Sequence, residues 1–193
     1  MTTDVTAYDN CISTYSGLRF DFINPRPDMV NVLDICKGLA NKPHFSGQTP
    51  EFFSIAEHCI LVESLLPYDA EPEERLCALI HDGSEAYLPD MIKPIKLLLP
   101  LFKDIEDGVQ SCIFDYFGLD ERYMKRIKKY DIMAQQIEYN VFYFNHATLA
   151  NNYHICYLKP KDAYLAYIKR LFYILQTIKY DSNGTKKKYS IIQ

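Results

Sequence analysis

Seven glycines stand against sixteen tyrosines and eleven phenylalanines in a chain of 193 residues. Tight hairpin turns lean on glycine for backbone with positive φ, so its scarcity beside many large side chains disfavours a strand-and-turn protein and favours packed helices. The apolar spacing agrees: no segment alternates with period two, there is no internal repeat, and helical spacing recurs throughout. The length suits one domain able to bury a sizeable core. We therefore expect an all-α fold, a single compact bundle of about six or seven helices over residues 1–180, followed by a polar tail over 181–193.

Prolines and caps place the helices. Pro25 and Pro27 make a turn, Asp28 reads as an N-cap, and Met29, Val32, Leu33, Cys36, Leu39 and Ala40 follow at helical spacing up to Lys42-Pro43. Residues 43–53 read as a loop. Ser54-Ile-Ala-Glu57 has the form of a capping box and opens a helix that runs through His58 toward Leu66. Pro72 suits the first turn of the next helix, which carries Leu76, Ala78, Leu79 and Ile80 and reaches His81, Asp82 and Glu85. Pro89, Pro94 and Pro100 break up the next segment. Residues 101–117 form another amphipathic helix that stops at Gly118, Asp120 caps a long one through Val141, and a last helix starts near Pro160 and reaches about Tyr180.

Composition excludes some functions. A net charge of -4 makes a nucleic-acid coat a poor expectation. No apolar run is long enough to cross a membrane, and residues 1–9 lack the basic and apolar regions of a secretory signal. The six cysteines are widely spaced with no C-x-x-C pair, which reads as small thiols, Cys36, Cys59 and Cys77 among them, in a reducing cytoplasm.

Four positions carry the chemistry: His58, the pair His81-Asp82, and Asp131, expected on three different helices. Each has apolar neighbours, and a carboxylate beside an apolar run is expensive to bury unless it is paired or bound to metal. Two imidazoles and two carboxylates make a mixed nitrogen and oxygen site suited to one divalent ion, and Mn, Fe, Co, Ni and Zn are all compatible with it. Glu85 stands one helical turn beyond His81, beside such an ion without having to bind it, as a general acid or base would.

The strings Phe53-Ser-Ile-Ala-Glu-His58, Ala78-Leu-Ile-His-Asp-Gly-Ser-Glu-Ala-Tyr-Leu-Pro-Asp90, Ile92-Lys-Pro-Ile-Lys96 and Lys128-Lys-Tyr-Asp131 resemble the HD-domain metal-dependent phosphohydrolases. The likeness is to the compact branch of bacterial 5'-deoxynucleotidases and related phage nucleotide hydrolases, over roughly residues 15 to 145. It implies that His58, His81, Asp82 and Asp131 hold one divalent metal ion, with Mg added to the candidates. It implies that Glu85, with Asp90, supplies acid and base catalysis, and that Lys93 or Lys96 balances phosphate charge. The implied substrate is a nucleotide, first a (deoxy)nucleoside 5'-monophosphate. A triphosphate would call on Lys93, Lys96, Arg122, Lys125 and Arg126, and a binding or regulatory module without catalysis is the rival reading.

The pattern departs at one place. Relatives usually carry an arginine and then an aromatic residue before the first metal histidine, and here the positions read His44-Phe45. Histidine lacks the bidentate fork that arginine offers a phosphate, so His44, as a candidate substrate contact, offers one or two donors at most, and either Arg19, Arg26, Lys42 or Lys93 substitutes or the substrate differs. Phe45 would pack on a sugar or base, and Gln48 stands where several phage relatives have histidine. The resemblance also suggests a homo-oligomer. Residues Tyr139 to Phe144 and Tyr164 to Tyr173 offer either an interface or plain core.

Overall fold

Asn31, not Asp28, begins the first α-helix. In the computed structural model, which describes residues 10–178, Pro27–Met29 closes a 3-10 turn and Val30 is extended. Asn31 then caps α1 (Val32–Asn41), its side chain accepting from Leu33 N at 2.8 Å. The Asp28 carboxylate pairs with Arg26 at the surface instead. The later start lets Val32, Ile35, Cys36, Leu39 and Ala40 all turn inward. Both the tail expected over 181–193 and the end of the last helix lie outside the described residues.

Eight α-helices and one short hairpin make up the described chain, so the all-α expectation holds. The hairpin pairs β1 (Cys11–Ser13) with β2 (Arg19–Asp21), antiparallel. Three residues per strand are too few to show alternation, which is why no strand is legible in the sequence. Gly17, at φ 86, supplies the positive φ of its turn.

The helices that build the site start where caps and prolines direct. At α2 (Ile55–Ser64) the capping box is complete: Ser54 Oγ accepts from Glu57 N, and Glu57 Oε2 accepts from Ser54 N. Pro72 opens α3 (Pro72–Ile80), which ends one residue before His81. The expected continuation to Glu85 is instead a turn and a 3-10 segment over Gly83–Ala86. A single-turn α4 (Lys93–Lys96) precedes α5 (Pro100–Phe117), which stops at Gly118 in left-handed backbone with Leu119 N bonded to Phe114 O. Asp120 accepts from Arg122 N at the start of α6 (Arg122–Phe144). A second short helix, α7 (Ala147–Asn152), comes next where none was expected, and α8 (Pro160–Ile178) follows.

The core sits around α2 and α3. On one side α8 packs against both and against α1; on the other, α6 packs against α2 and α3. Tyr167 of α8 is fully buried and donates to Leu79 O at 2.6 Å, which ties α8 to the end of α3. Cys36, Cys59, Cys77 and Cys112 are buried and free, and desolvation pushes Cys36 and Cys77 up to about 12. Among the described residues no helix is long and apolar enough to cross a membrane.

Candidate metal centre

Three elements bring His58, His81 and Asp82 into one group of mutually close donors, with Asp131 Oδ1 beside the two histidines. His58 lies in the middle of α2, His81 and Asp82 sit at the exit of α3, and Asp131 faces inward from α6. His58 Nε2 stands 3.4 Å from Asp131 Oδ1 and 3.6 Å from Asp82 Oδ2. His81 Nε2 stands 3.2 Å from Asp82 Oδ2 and 3.8 Å from Asp131 Oδ1. Donors about 2.0–2.2 Å from a single ion stand about 3–4 Å from one another, so the spacing fits one shared cation.

The histidines are oriented for it. His81 Nδ1 is 2.8 Å from Ala78 O, and His58 Nδ1 is 2.8 Å from Glu138 Oε1. A ring N–H that donates to such an acceptor leaves the other nitrogen as the ligand, the usual arrangement behind a metal histidine. Both Nε2 atoms are buried and have no hydrogen-bond partner. Lys128 Nζ holds Asp131 by its outer oxygen, 2.6 Å from Oδ2, and Gln135 Nε2 donates at 2.8 Å to Oδ1, the oxygen that faces the histidines.

The electrostatics agree. Burial disfavours protonation of His58, but Glu138 and Asp131 together outweigh it and the pKa is pushed up to about 9; at His81, too, burial is outweighed, by Asp82 and Asp131 together, and the pKa rises well above the ordinary imidazole value. Burial disfavours ionisation of Asp82 and Asp131, but the two imidazoles hold both carboxyls well below the usual carboxylate range. A divalent cation would supply the positive charge that these two carboxylates here take from the imidazoles.

A cleft of about 640 Å³ opens on this cluster. Glu85, Asp90, His44 and Phe45 line it with Asp82 and Asp131, so the expected acid and base groups and the two loop residues are brought to the same place. Glu85 is buried on the 3-10 segment, with Oε2 lacking any hydrogen-bond partner. Desolvation, then the charges of Asp82 and Asp90, push its carboxyl well above the ordinary value. Asp90 accepts from Ser46 N at 3.3 Å and lies 3.3 Å from His44 Nδ1. Lys93 and Lys96 also line the cleft, with Lys96 held 2.7 Å from Glu106.

The loop over residues 43–53 is pinned at its base. His44 N bonds to Phe53 O and Ile55 N to Lys42 O, closing an antiparallel bridge between Pro43 and Ser54. Phe45 and Ser46 both take positive φ, near 50°, which costs strain for residues with side chains. The loop end is fastened to α6, since Tyr143 donates to Gln48 O at 2.6 Å and Phe45 packs edge-on to Phe142.

Several expected phosphate cations are elsewhere. Lys42 donates to the carbonyls of Glu85, Ala86 and Leu88 at 2.7–2.9 Å and is spent on holding that segment. Arg19 and Arg26 border a separate groove beside Cys11, and Arg122 and Lys125 border another between α5 and α6. Arg126 lies 3.9 Å from Glu74. Of the cations considered, Lys93 and Lys96 remain, joined by Lys128, which the sequence placed only beside Asp131.

The residue that sequence reasoning missed is Glu138. It is fully buried and touches both His58 and His44. Its signal was present: seven residues after Asp131 on α6 is two turns along the same face, among apolar positions.

No protein-family model matches the chain. It is 33% identical over 127 residues to a protein of Escherichia coli (strain K12) called "Uncharacterized protein YfdR", covering 66% of this chain and 69% of that one. It is also 37% identical over 111 residues to an uncharacterized protein of Rhodobacter capsulatus, covering 54% of this chain and 56% of the relative. Neither name states an activity.

Proposed function

The chain belongs to the family of the E. coli protein YfdR, and we propose that it is a divalent-metal phosphohydrolase acting on a nucleotide. The favoured substrate is a (deoxy)nucleoside 5'-monophosphate. One observation carries the proposal: two buried histidines, each with Nδ1 already engaged, turn unpartnered Nε2 atoms toward two carboxylates at the floor of a cleft.

An ion held by His58, His81, Asp82 and Asp131 would polarise a phosphate oxygen and acidify water. The chain's own groups supply the rest. Glu85, buried beside the cluster with a free carboxyl oxygen, orients the attacking water and moves its proton, or protonates the leaving sugar oxygen. Asp90 assists at the rim. Lys93 has no ion pair among the described residues and offers its charge to the phosphate; Lys96 and Lys128 are shared with Glu106 and Asp131. Phe45 presents an aromatic face to the sugar or base.

The charge balance favours a monophosphate. Asp82, Asp90 and Asp131 line the cleft against three lysines, and a bound metal would offset these carboxylates for an incoming dianion. Two of the cations that a triphosphate would use, Arg122 and Lys125, border a different groove.

The test is phosphate release from a panel of deoxynucleoside mono- and triphosphates with Mn²⁺, Co²⁺, Mg²⁺ or Zn²⁺. Metal-dependent release that Asp82→Ala abolishes is expected. Release from no substrate, or release that Asp82→Ala leaves intact, overturns the proposal.

A further inference from the structure

We propose that Glu138 and His44 are positioning residues that tie the metal ligand His58 to the cleft carboxylate Asp90 through one buried chain of alternating carboxylate and imidazole. The proposal rests on the metal-centre reading and extends it to groups that bind neither metal nor substrate.

The chain can be traced atom by atom. His58 Nδ1 is 2.8 Å from Glu138 Oε1, a hydrogen bond between fully buried groups. Glu138 Oε2 is 3.4 Å from His44 Nε2, and His44 Nδ1 is 3.3 Å from Asp90 Oδ2. These two contacts have ion-pair distance without hydrogen-bond alignment, so both His44 nitrogens and Glu138 Oε2 lack hydrogen-bond partners. The His44 ring lies nearly flat on that of His58, with centroids 4.3 Å apart and planes at 28°. His44 is therefore attached to His58 twice, by stacking and through Glu138.

Burial explains why such a chain should exist. A carboxylate with no exposed surface is costly unless it is paired. Glu138 meets two imidazoles, and no other charged partner among the described residues lies against it. It is thus placed to serve the histidines. Accepting from His58 Nδ1 fixes the tautomer that turns Nε2 toward Asp82 and Asp131. His44 then stands at ion-pair distance from the second oxygen of Glu138 and from one oxygen of Asp90, and Ser46 N donates to the same Asp90 oxygen.

The donor atoms of His44, His58 and Glu138 also lie within 4.8 Å of one another, which invites a reading as a second cation site. The 2.8 Å bond argues otherwise. A cation there would claim the Nδ1 that this bond already uses, and a single imidazole would have to bridge two facing cations. The chain also accounts for histidine at position 44. Its nitrogens face two carboxylates of the protein and not the open cleft, so phosphate recognition passes to Lys93.

The experiment uses the purified full chain and Co²⁺, which reports ligand geometry by visible absorption. Wild type is expected to bind Co²⁺. Glu138→Gln, with its fold verified by circular dichroism, is expected to bind about 10-fold or more weakly with a shifted absorption band. Equal affinity with an unchanged band overturns the inner tie and leaves the hydrolase reading standing. Failure of wild type to bind Co²⁺, Mn²⁺ or Zn²⁺ overturns the hydrolase reading and the tie with it. Should Glu138→Gln not fold, ¹⁵N NMR of Zn²⁺-loaded wild type decides: a His58 ring protonated at Nδ1 supports the tie, and protonation at Nε2 refutes it. For the outer tie, His44→Asn and Asp90→Asn are combined in a double-mutant cycle on kcat/KM. Coupling of about threefold or more is expected; strict additivity overturns it.

Discussion

Glu85 is buried, yet one of its carboxyl oxygens meets no hydrogen-bond donor. Such an atom is costly in a purely structural position and useful beside a reacting group. Glu85→Ala is therefore expected to keep Co²⁺ affinity and to lower kcat by about 10²-fold or more, the scale of a lost general acid or base. Equal turnover in the variant would remove Glu85 from the mechanism, and steady-state kinetics beside a Co²⁺ titration read both quantities. Residue identities were legible to different degrees. His58, His81, Asp82 and Asp131 stand out because polar groups in apolar runs need partners. Glu138 has the same property, but its partners lie 80 and 94 residues away in sequence, and only folding brings them together. Lys42 misleads for the opposite reason. A lysine at a helix end reads as a surface cation, while here its ammonium is drawn onto three carbonyls. Desolvation pulls it down toward about 8, with the Glu85 charge resisting.

Lys42 belongs with Gly38 one turn before it on α1, and together they define how that helix grips the segment carrying Glu85. A Cβ at Gly38 would fall 2.4 Å from Ala86 O, a backbone atom that cannot swing aside. Gly38→Ala is expected to push α1 off the Gly83–Ala86 segment and to cost about 1–3 kcal/mol, as overpacking does. At about 2–4 °C per kcal/mol for a chain of this size, the melting temperature should fall by several degrees. Turnover should fall more than Co²⁺ affinity, because α1 packs on the Glu85 segment while the metal ligands come from α2, α6 and the exit of α3. An unchanged melting curve would show that α1 yields freely there. Gln110 of α5 holds the same segment from the other side, accepting from Ser84 N and donating to Ile80 O. Element boundaries show why this packing stays hidden in sequence. The capping box at Ser54 and the stop at Gly118 are local devices and read correctly. The end of α3 at Ile80 has only a weak local marker, since Gly83 lowers helix propensity without forbidding a helix through to Glu85.

Across the whole molecule, a metal that binds only the folded chain must stabilise it. The four donors come from α2, the exit of α3 and α6, which no unfolded chain holds together. Free ion at 100 times Kd is expected to add about 2.7 kcal/mol, or roughly 5–10 °C in melting temperature. Differential scanning fluorimetry with Mn²⁺, Co²⁺ or Zn²⁺, reversed by EDTA, measures it. Asp131→Ala should abolish the shift, and a shift that survives in the variant would place the ion elsewhere. By itself the sequence determined the helical class and which side chains have chemistry to offer, because glycine scarcity, proline, caps and apolar periodicity act within a few residues. Only the tertiary structure decided which of those side chains meet. It gathered His58, His81, Asp82 and Asp131 beside Glu85, turned His44 inward onto Glu138, and carried Arg19, Arg26, Arg122 and Lys125 away from the cleft. The reason is physical. Desolvation and pairing of a buried charge depend on neighbours drawn from every helix at once, and no local window of the chain contains them.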